Sequence, residues 1–476
     1  MAITNNNIAL IHRKEWQFMT PSPTVSAAGA FVVTDVKERD NTALFVYSAT
    51  VQYLYHHDED AFVTVPSGAL AGAFGAGACG ARWRWGNTLT ANGGSTTTIT
   101  TTANINWLMK GGTVRMLTGT AGNIGKEVVI SNIMTVPGWT STIYLASPLP
   151  SSVANTDTFK IDRGAYYILN SYATLAAWVF KSYDPITWVW TSLGTTNLPA
   201  AWGTEWRLVA TPSDDVFSTW LASVSASTTL VTWKTWTANQ WTNYMVRIVS
   251  GTGIGQTRTI SSNTTNTLTV PAWTVTPDAT STYEITGNDD FLYLIGNNAV
   301  TMYRYSISWN TWTVMAPTTA RAAAMVAWGG ANWIWKSGDA NWANEADIKD
   351  WRYIYSFRWA AGGALDRFDI AGGTAWAGAW QNIAYTWLAE TFTTWSSYSV
   401  SGRYIYMRKD ATHRFFKFSI TGSYIEPLTT NLYPDGVAIL WDKLWIHVYN
   451  DGTTDKLFWL YSLRNTGTEL HRILLF

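Results

Sequence analysis

The sequence predicts an all-β chain in which a short hairpin recurs about six times and is interrupted by two copies of a small β module. Three observations predict it. Apolar and polar residues alternate in short runs bounded by turn residues, the period of strands rather than helices. An aromatic residue is followed seven positions later by a second one, as in Tyr55 and Phe62, Tyr183 and Trp190, and Tyr305 and Trp312. The third is a duplication: VRMLTGTAGNIGKEVVIS from Val114 corresponds to VRIVSGTGIGQTRTIS from Val246, and NTDTFKI ending at Ile161 to TSTYEI ending at Ile285. A repeated hairpin cannot bury its face alone, so the copies must pack against one another.

In chain order, residues 1–42, with the segment TPSPTVSAAGA, read as an N-terminal arm. An arm of this kind can serve as a strand that closes the fold on the last repeat, or as a docking segment. Residues 43–87 hold the first hairpin and a Gly/Ala-rich link, 88–161 the first inserted module (module A), 162–225 the second hairpin, 226–287 the second module (module B), and 288–476 the remaining hairpins. The six hairpins start near Ala43, Ala165, Phe291, Tyr353, Tyr404 and Leu444.

Composition excludes several functions. With 476 residues and 47% hydrophobic content the chain can bury a large core. Charged residues make up 13%, with Lys+Arg and Asp+Glu both 32, which leaves no electrostatic footprint for nucleic acid. A single cysteine, Cys79, excludes a disulfide framework and a thiolate zinc site and reads as a small buried residue. The N-terminal stretch MAITNNNIALIHRKEWQFM lacks the pattern of a secretion signal, and no apolar run has the length of a membrane span.

Few residues suggest chemistry. His56, His57, Asp58, Glu59 and Asp60 are contiguous and combine two metal-ligand types. Contiguous strand residues alternate faces and cannot all converge, so the reading is a solvated charged turn and no metal site. The loops GTAGNIGK and GTGIGQ superficially match phosphate-cradling glycines, but a strand follows each where a nucleotide site needs a helix. They are read as hairpin turns. Thirty tryptophans is several times ordinary usage. Trp328, Trp359, Trp376 and Trp395 sit among glycine and alanine in apparent turns, where an indole conflicts with turn chemistry. Either they make stacking or subunit contacts, or a reassigned stop codon stands behind some of them. On the first reading Trp359 and Trp395 are the candidates for surface binding.

Gly329-Gly330 ahead of an apolar strand, and the run YDPxTxxW from Tyr183 to Trp190, resemble kelch repeats. The resemblance implies a kelch-like β-propeller of about six four-stranded blades, with the Tyr and Trp packed between adjacent blades. Uneven spacing, and a clear double glycine before the strand in one copy alone, depart from that pattern. The Thr/Ser/Gly-rich inserted modules are similar to small β modules of tailed-bacteriophage virion proteins. The copper radical oxidases among kelch proteins imply a Cys near a Tyr with histidine ligands, a context this sequence lacks. The expectation is therefore a non-enzymatic structural protein of a bacteriophage particle, located in the virion as a tail, collar or head-surface component. Its implied partners are other virion proteins and copies of itself, with no cofactor, nucleic acid or membrane insertion. The alternative is a carbohydrate- or host-receptor-binding propeller whose partner is a cell-surface glycan or receptor.

Overall fold

Alternate side chains of the strand Phe291–Ile295 go to different neighbours. Leu292 and Leu294 join one core, and Tyr293 and Ile295 another. Alternation by itself implies strands buried on one face; here both faces are covered, because each sheet lies between two others.

The computed structural model describes residues 16–24, 30–34, 42–48, 50–66, 78–106, 109–120, 122–136, 140–162, 164–170, 179–199, 206–211, 216–295, 301–322, 330–333, 353–358, 364–372, 377–383, 398–401, 404–408, 415–419, 424–428, 443–450, 456–463 and 467–475. Among them the regular structure is β. Outside the inserted modules it forms six four-stranded antiparallel sheets. Sheet I comprises Phe31–Thr34, Thr42–Val46, Gln52–His56 and Ala61–Thr64. Sheet II comprises Cys79–Arg82, Tyr166–Leu169, Phe180–Asp184 and Val189–Ser192, and sheet III Arg207–Ala210, Phe291–Ile295, Met302–Ser306 and Thr311–Met315. Sheet IV runs from Gly330–Trp333 through Tyr353–Arg358 and Ala364–Asp369 to Ala379–Ile383, and sheet V from Tyr398–Ser401 through Tyr404–Arg408 and Phe415–Ser419 to Tyr424–Pro427. Sheet VI takes Lys443–Asn450, Lys456–Leu463 and Leu470–Leu474 from the end of the chain and Gln17–Phe18 from its beginning.

The first strands of successive sheets neighbour one another from I to VI, and the first strand of VI neighbours that of I, so the order closes into a ring. Cores fill the gaps between sheets: Leu44, Val46 and Leu54 meet Tyr166, Ile168 and Tyr183 between I and II, and Phe180 meets Tyr305 and Trp312 between II and III. Phe45 and Tyr55 meet Trp445 and Tyr461 at the closure between I and VI. There Gln17 pairs with Arg472 and Phe18 with His471, while the Thr20 amide donates to the Asp60 carboxylate of sheet I at 2.9 Å.

The seven-residue aromatic spacing is a cross-strand pair around a four-residue turn. Tyr55 opposes Phe62, Tyr183 opposes Trp190 and Tyr305 opposes Trp312, with ring centroids 4.8, 4.9 and 5.1 Å apart. The last turn residue is left-handed in each: Asp60 (φ 47°), Trp188 (φ 62°) and Asn310 (φ 52°). Asp60 and Asn310 tolerate that region, and each accepts the buried tyrosine hydroxyl five residues earlier at 2.6 Å. Trp188 offers no acceptor, and the Tyr183 hydroxyl is buried with no hydrogen-bond partner among the described residues. Trp188→Asn is therefore expected to raise the unfolding free energy by about 1–2 kcal/mol, from relief of the left-handed indole and a partner for the hydroxyl. Denaturant melts check this. Pairing Trp188→Asn with Tyr183→Phe should remove the hydroxyl's share of the gain.

Module A is a closed barrel of Leu89–Gly94, Thr98–Thr101, Thr113–Met116, Glu127–Thr135, Ser141–Leu145 and Asn155–Ile161. Module B follows the same order, split into two sheets: Val216–Leu221, Thr282–Thr286, Met245–Ser250 and Thr257–Thr259 in one, Thr229–Val231, Thr267–Thr269 and Ser262–Asn263 in the other. Three boundaries differ from the sequence reading. Phe31–Thr34 of the arm is the first strand of sheet I, and Cys79–Arg82 of the Gly/Ala-rich link is the first strand of sheet II. Module B begins with Val216–Leu221, ahead of residue 226. The physical reason is common to the last two: each module enters between the first and second strands of a sheet, which separates the first strand from its hairpin.

Candidate functional site

Modules A and B leave sheets II and III through equivalent connections, so they emerge side by side and touch. Gly255 (φ 86°) in the 251–256 turn approaches Ile124 so closely that a Cβ there would lie 2.4 Å from its Cγ2. At Gly164, where module A returns to sheet II, a Cβ would lie 1.9 Å from the Gly86 amide nitrogen. The glycine-rich loops 119–126 and 251–256 are thus turns between strands, and the second makes the inter-module contact.

Near that contact is a cluster of charged residues from both modules. Arg84 Nη2 lies 3.0 Å from Glu127 Oε2, Arg115 bonds Oε1 of the same carboxylate, and Arg247 of module B lies 3.9 Å from it while bonding Glu284 at 2.8 Å. The Arg84 and Arg115 guanidiniums stand over the Trp85 ring at 4.2 and 4.6 Å, and Lys160 Nζ over Trp83 at 5.3 Å. Trp83 Nε1 donates to the Asp289 carbonyl at 2.7 Å, which ties module A's entry to the strand that follows module B. Burial, with Arg247 nearby, pushes the Arg115 guanidinium down to about 10 against the pull of Glu127, so it stays charged at neutral pH. Burial would raise Glu127, but Arg115, Arg84 and Arg247 outweigh it and hold the carboxyl below its ordinary range. A carboxyl titrating lower in the folded state contributes stability that is complete above pH about 4.3 and is lost as pH falls through the lowered value. Melting points of the wild type should therefore fall faster on acidification than those of Glu127→Gln, and the two curves should converge in acid. Chemically the cluster is a set of ion pairs centred on Glu127, in which module A meets the exit of sheet II and, at 3.9 Å, module B.

The turn at residues 56–60 is only partly solvated, which corrects the sequence reading. Asp58 and Glu59 are exposed, but His56 and His57 are buried. His57 Nε2 accepts from Trp445 Nε1 at 3.1 Å, and its ring stands edge-on to Tyr55 and Tyr461, so the imidazole belongs to the closure between sheets I and VI. Asp60 is occupied by Thr20 and Tyr55. Among the described residues, no group of three or more His, Cys, Asp or Glu is placed to hold a metal ion. Burial pushes the Cys79 thiol up to about 12. Asp290, next to Asp289 in sequence, caps the turn of sheet III through Ser306, the Ser308 amide and the Ser308 hydroxyl.

Trp359 and Trp395 lie outside the described residues, as do Trp328 and Trp376. The described tryptophans most open to solvent are Trp233 and Trp309, 80% and 79% exposed, with Trp220 about half-exposed. Their local sequences resemble those of buried Trp236 and Trp312. Only comparison between the duplicated modules would have singled out Trp233.

No family model and no curated protein matches the chain. Solved structures similar to it include a structural genomics protein of unknown function from Bacteroides thetaiotaomicron (9% identity, 82% of this chain and 98% of that one, TM-score 0.27). Others are the phage phi92 endosialidase (10% identity, 100% of this chain and 60% of that one, TM-score 0.25) and Kuenenia stuttgartiensis hydrazine synthase (9% identity, 96% and 99%, TM-score 0.29). At these scores the likeness carries no argument about activity.

Proposed function

We propose that the chain is a non-enzymatic structural protein of a bacteriophage particle, in which a closed six-bladed, kelch-like β-propeller carries the two inserted modules toward neighbouring subunits. The observation that carries this reading is the placement of the modules. Both interrupt the same connection, first strand to second, in consecutive sheets of a ring whose ends are tied by Gln17–Phe18. A ring with interdigitated aromatic cores supplies rigidity, and equivalent insertions display a contiguous pair of β modules. The modules touch at Gly255 and Ile124, with Arg247 of module B 3.9 Å from Glu127 of module A, which suits a scaffold more than a moving catalytic lid. Proteomics of purified particles tests the proposal. The chain should be present at a fixed multiple of other virion proteins, and its absence from purified particles while it accumulates in the infected cell would overturn it.

Exposed Trp309 at the turn of sheet III supports the second reading, a binder of cell-surface glycan, since a free indole presents a flat apolar face with a polar edge. Inhibition of host adsorption by the purified chain, lost in Trp309→Ser, is the outcome that reading requires.

A further inference from the structure

In sheets II to V the residue that follows the third strand is apolar: Pro185, Ile307, Ile370 and Ile420. Two of them show where the position packs. Ile307 lies against the core between sheets II and III, and Ile370 shares a core with Tyr293 of sheet III. The position thus meets the preceding sheet of the ring. In sheet I the same position is His57, and the preceding sheet is VI, so the titratable residue stands at the closure. There it is buried, edge-on to Tyr461 at 4.9 Å, with its Nε2 accepting from Trp445 Nε1 at 3.1 Å.

We infer that the closure between sheets I and VI is a proton-operated latch, in which His57 holds Trp445 while its ring is neutral and releases it when the ring takes up a proton. An indole N–H only donates, so Nε2 must present its lone pair and the proton of the neutral ring sits on Nδ1. A second proton goes to Nε2, the atom bonded to Trp445. Two N–H groups then face each other, and a cation stands in an aromatic gap. The surrounding groups do not reverse this. Asp58 and Glu59 of the same turn are exposed, where solvent screens their pull, and Asp60 is bonded to Thr20 and Tyr55. Burial keeps the Tyr55 and Tyr461 hydroxyls protonated. Across the gap Arg472, bonded to the Tyr461 hydroxyl, repels a cation. His56 falls on the opposite face of its strand from Tyr55, and Lys443 and His447 lie two positions to either side of Trp445 in its own strand. A free imidazole takes up its proton near pH 6.5. The open seam binds that proton and the closed seam excludes it, so closure is complete above that pH and weakens as pH falls below it. This window lies above the one in which the Glu127 carboxyl titrates.

Hydrogen exchange of the full chain, read by peptide mass spectrometry and corrected for the intrinsic rate at each pH, tests the latch. From about pH 7.5 to about pH 5.5, protection of Lys456–Leu463 and Leu470–Leu474 should fall about tenfold, the factor supplied by one proton taken up near pH 6.5. The strands that carry Tyr305 and Trp312 serve as the control, because residues 79–315 contain no histidine, and their protection should hold. His57→Gln keeps an acceptor for Trp445 but takes up no proton in this range, so its seam should stay closed and lose the pH dependence. His57→Ile, which imports the residue of sheets III, IV and V, gives a second flat profile should the glutamine variant fail to fold. Seam protection that is constant with pH in the wild type overturns the latch. So does an equal fall around Trp312, or a tenfold fall that persists in the variants.

Discussion

Trp312→Ala is expected to lower the unfolding free energy by about 3–5 kcal/mol, at the upper end of large-to-small core substitutions. Trp312 is buried between sheets II and III, with its ring 5.0 Å from Phe180 and 5.1 Å from Tyr305. Its Nε1 donates to the Gly194 carbonyl at 3.1 Å, and its own carbonyl accepts from Asn197 Nδ2 at 2.8 Å. The residue therefore fastens the segment linking the two sheets as well as their shared core. Collapse around the cavity is opposed from two sides, since both sheets are held to further neighbours. Trp312→Phe separates the terms: it keeps most of the buried area and should cost about 1 kcal/mol for the indole hydrogen bond, plus a packing term. A loss below about 1 kcal/mol for the alanine variant in denaturant melts would mean that this aromatic does not hold the sheets together.

An effect of similar size is expected at Arg321. Its Nε bonds Asp366 Oδ2 at 2.8 Å and its Nη2 bonds Ser356 Oγ at 2.6 Å, and both charged side chains are almost wholly buried. The guanidinium also stands 4.9 Å from the Trp380 ring centroid. Arg321 lies in the connection that follows sheet III, and Thr319 before it bridges in parallel to Ala379, so the ion pair fixes the incoming chain along the edge of sheet IV. Asp366→Ala leaves a buried cation without its carboxylate and should cost about 3–5 kcal/mol. The double replacement Arg321→Met with Asp366→Leu removes both charges and should recover most of that loss. If the double variant is as unstable as the single one, the pair stabilises through more than cancellation of two buried charges.

Much of this architecture is written in local patterns. The Tyr–Trp spacing of the hairpins is legible because a four-residue turn puts residues seven apart directly opposite each other, and the duplicated modules are legible because their turns share glycines. Less legible are the first strands of sheets II and III. Cys79–Arg82 and Arg207–Ala210 are short, and a whole inserted module separates each from its hairpin, so no local signal joins them. The histidines at 56 and 57 mislead for a related reason: their burial is imposed by Trp445 and Tyr461, nearly the whole chain away. Trp188 is a conflict between sequence and local geometry that can be seen only once Asp60 and Asn310 are known to share its turn position.

The pairing of Gln17–Phe18 with Leu470–Leu474 has a kinetic consequence. The outermost strand of sheet VI precedes the other five sheets in the chain and its partner follows them, so the closing contact spans 455 residues. Contacts of such separation form late and slowly. During synthesis, the faces of sheets I and VI that will carry Phe45, Tyr55, Trp445 and Tyr461 are open at the same time. A nascent chain in that state exposes two aromatic surfaces built to bind each other, and neighbouring chains on one message could exchange them. Slower translation through sheet VI is expected to favour the ring that closes on itself.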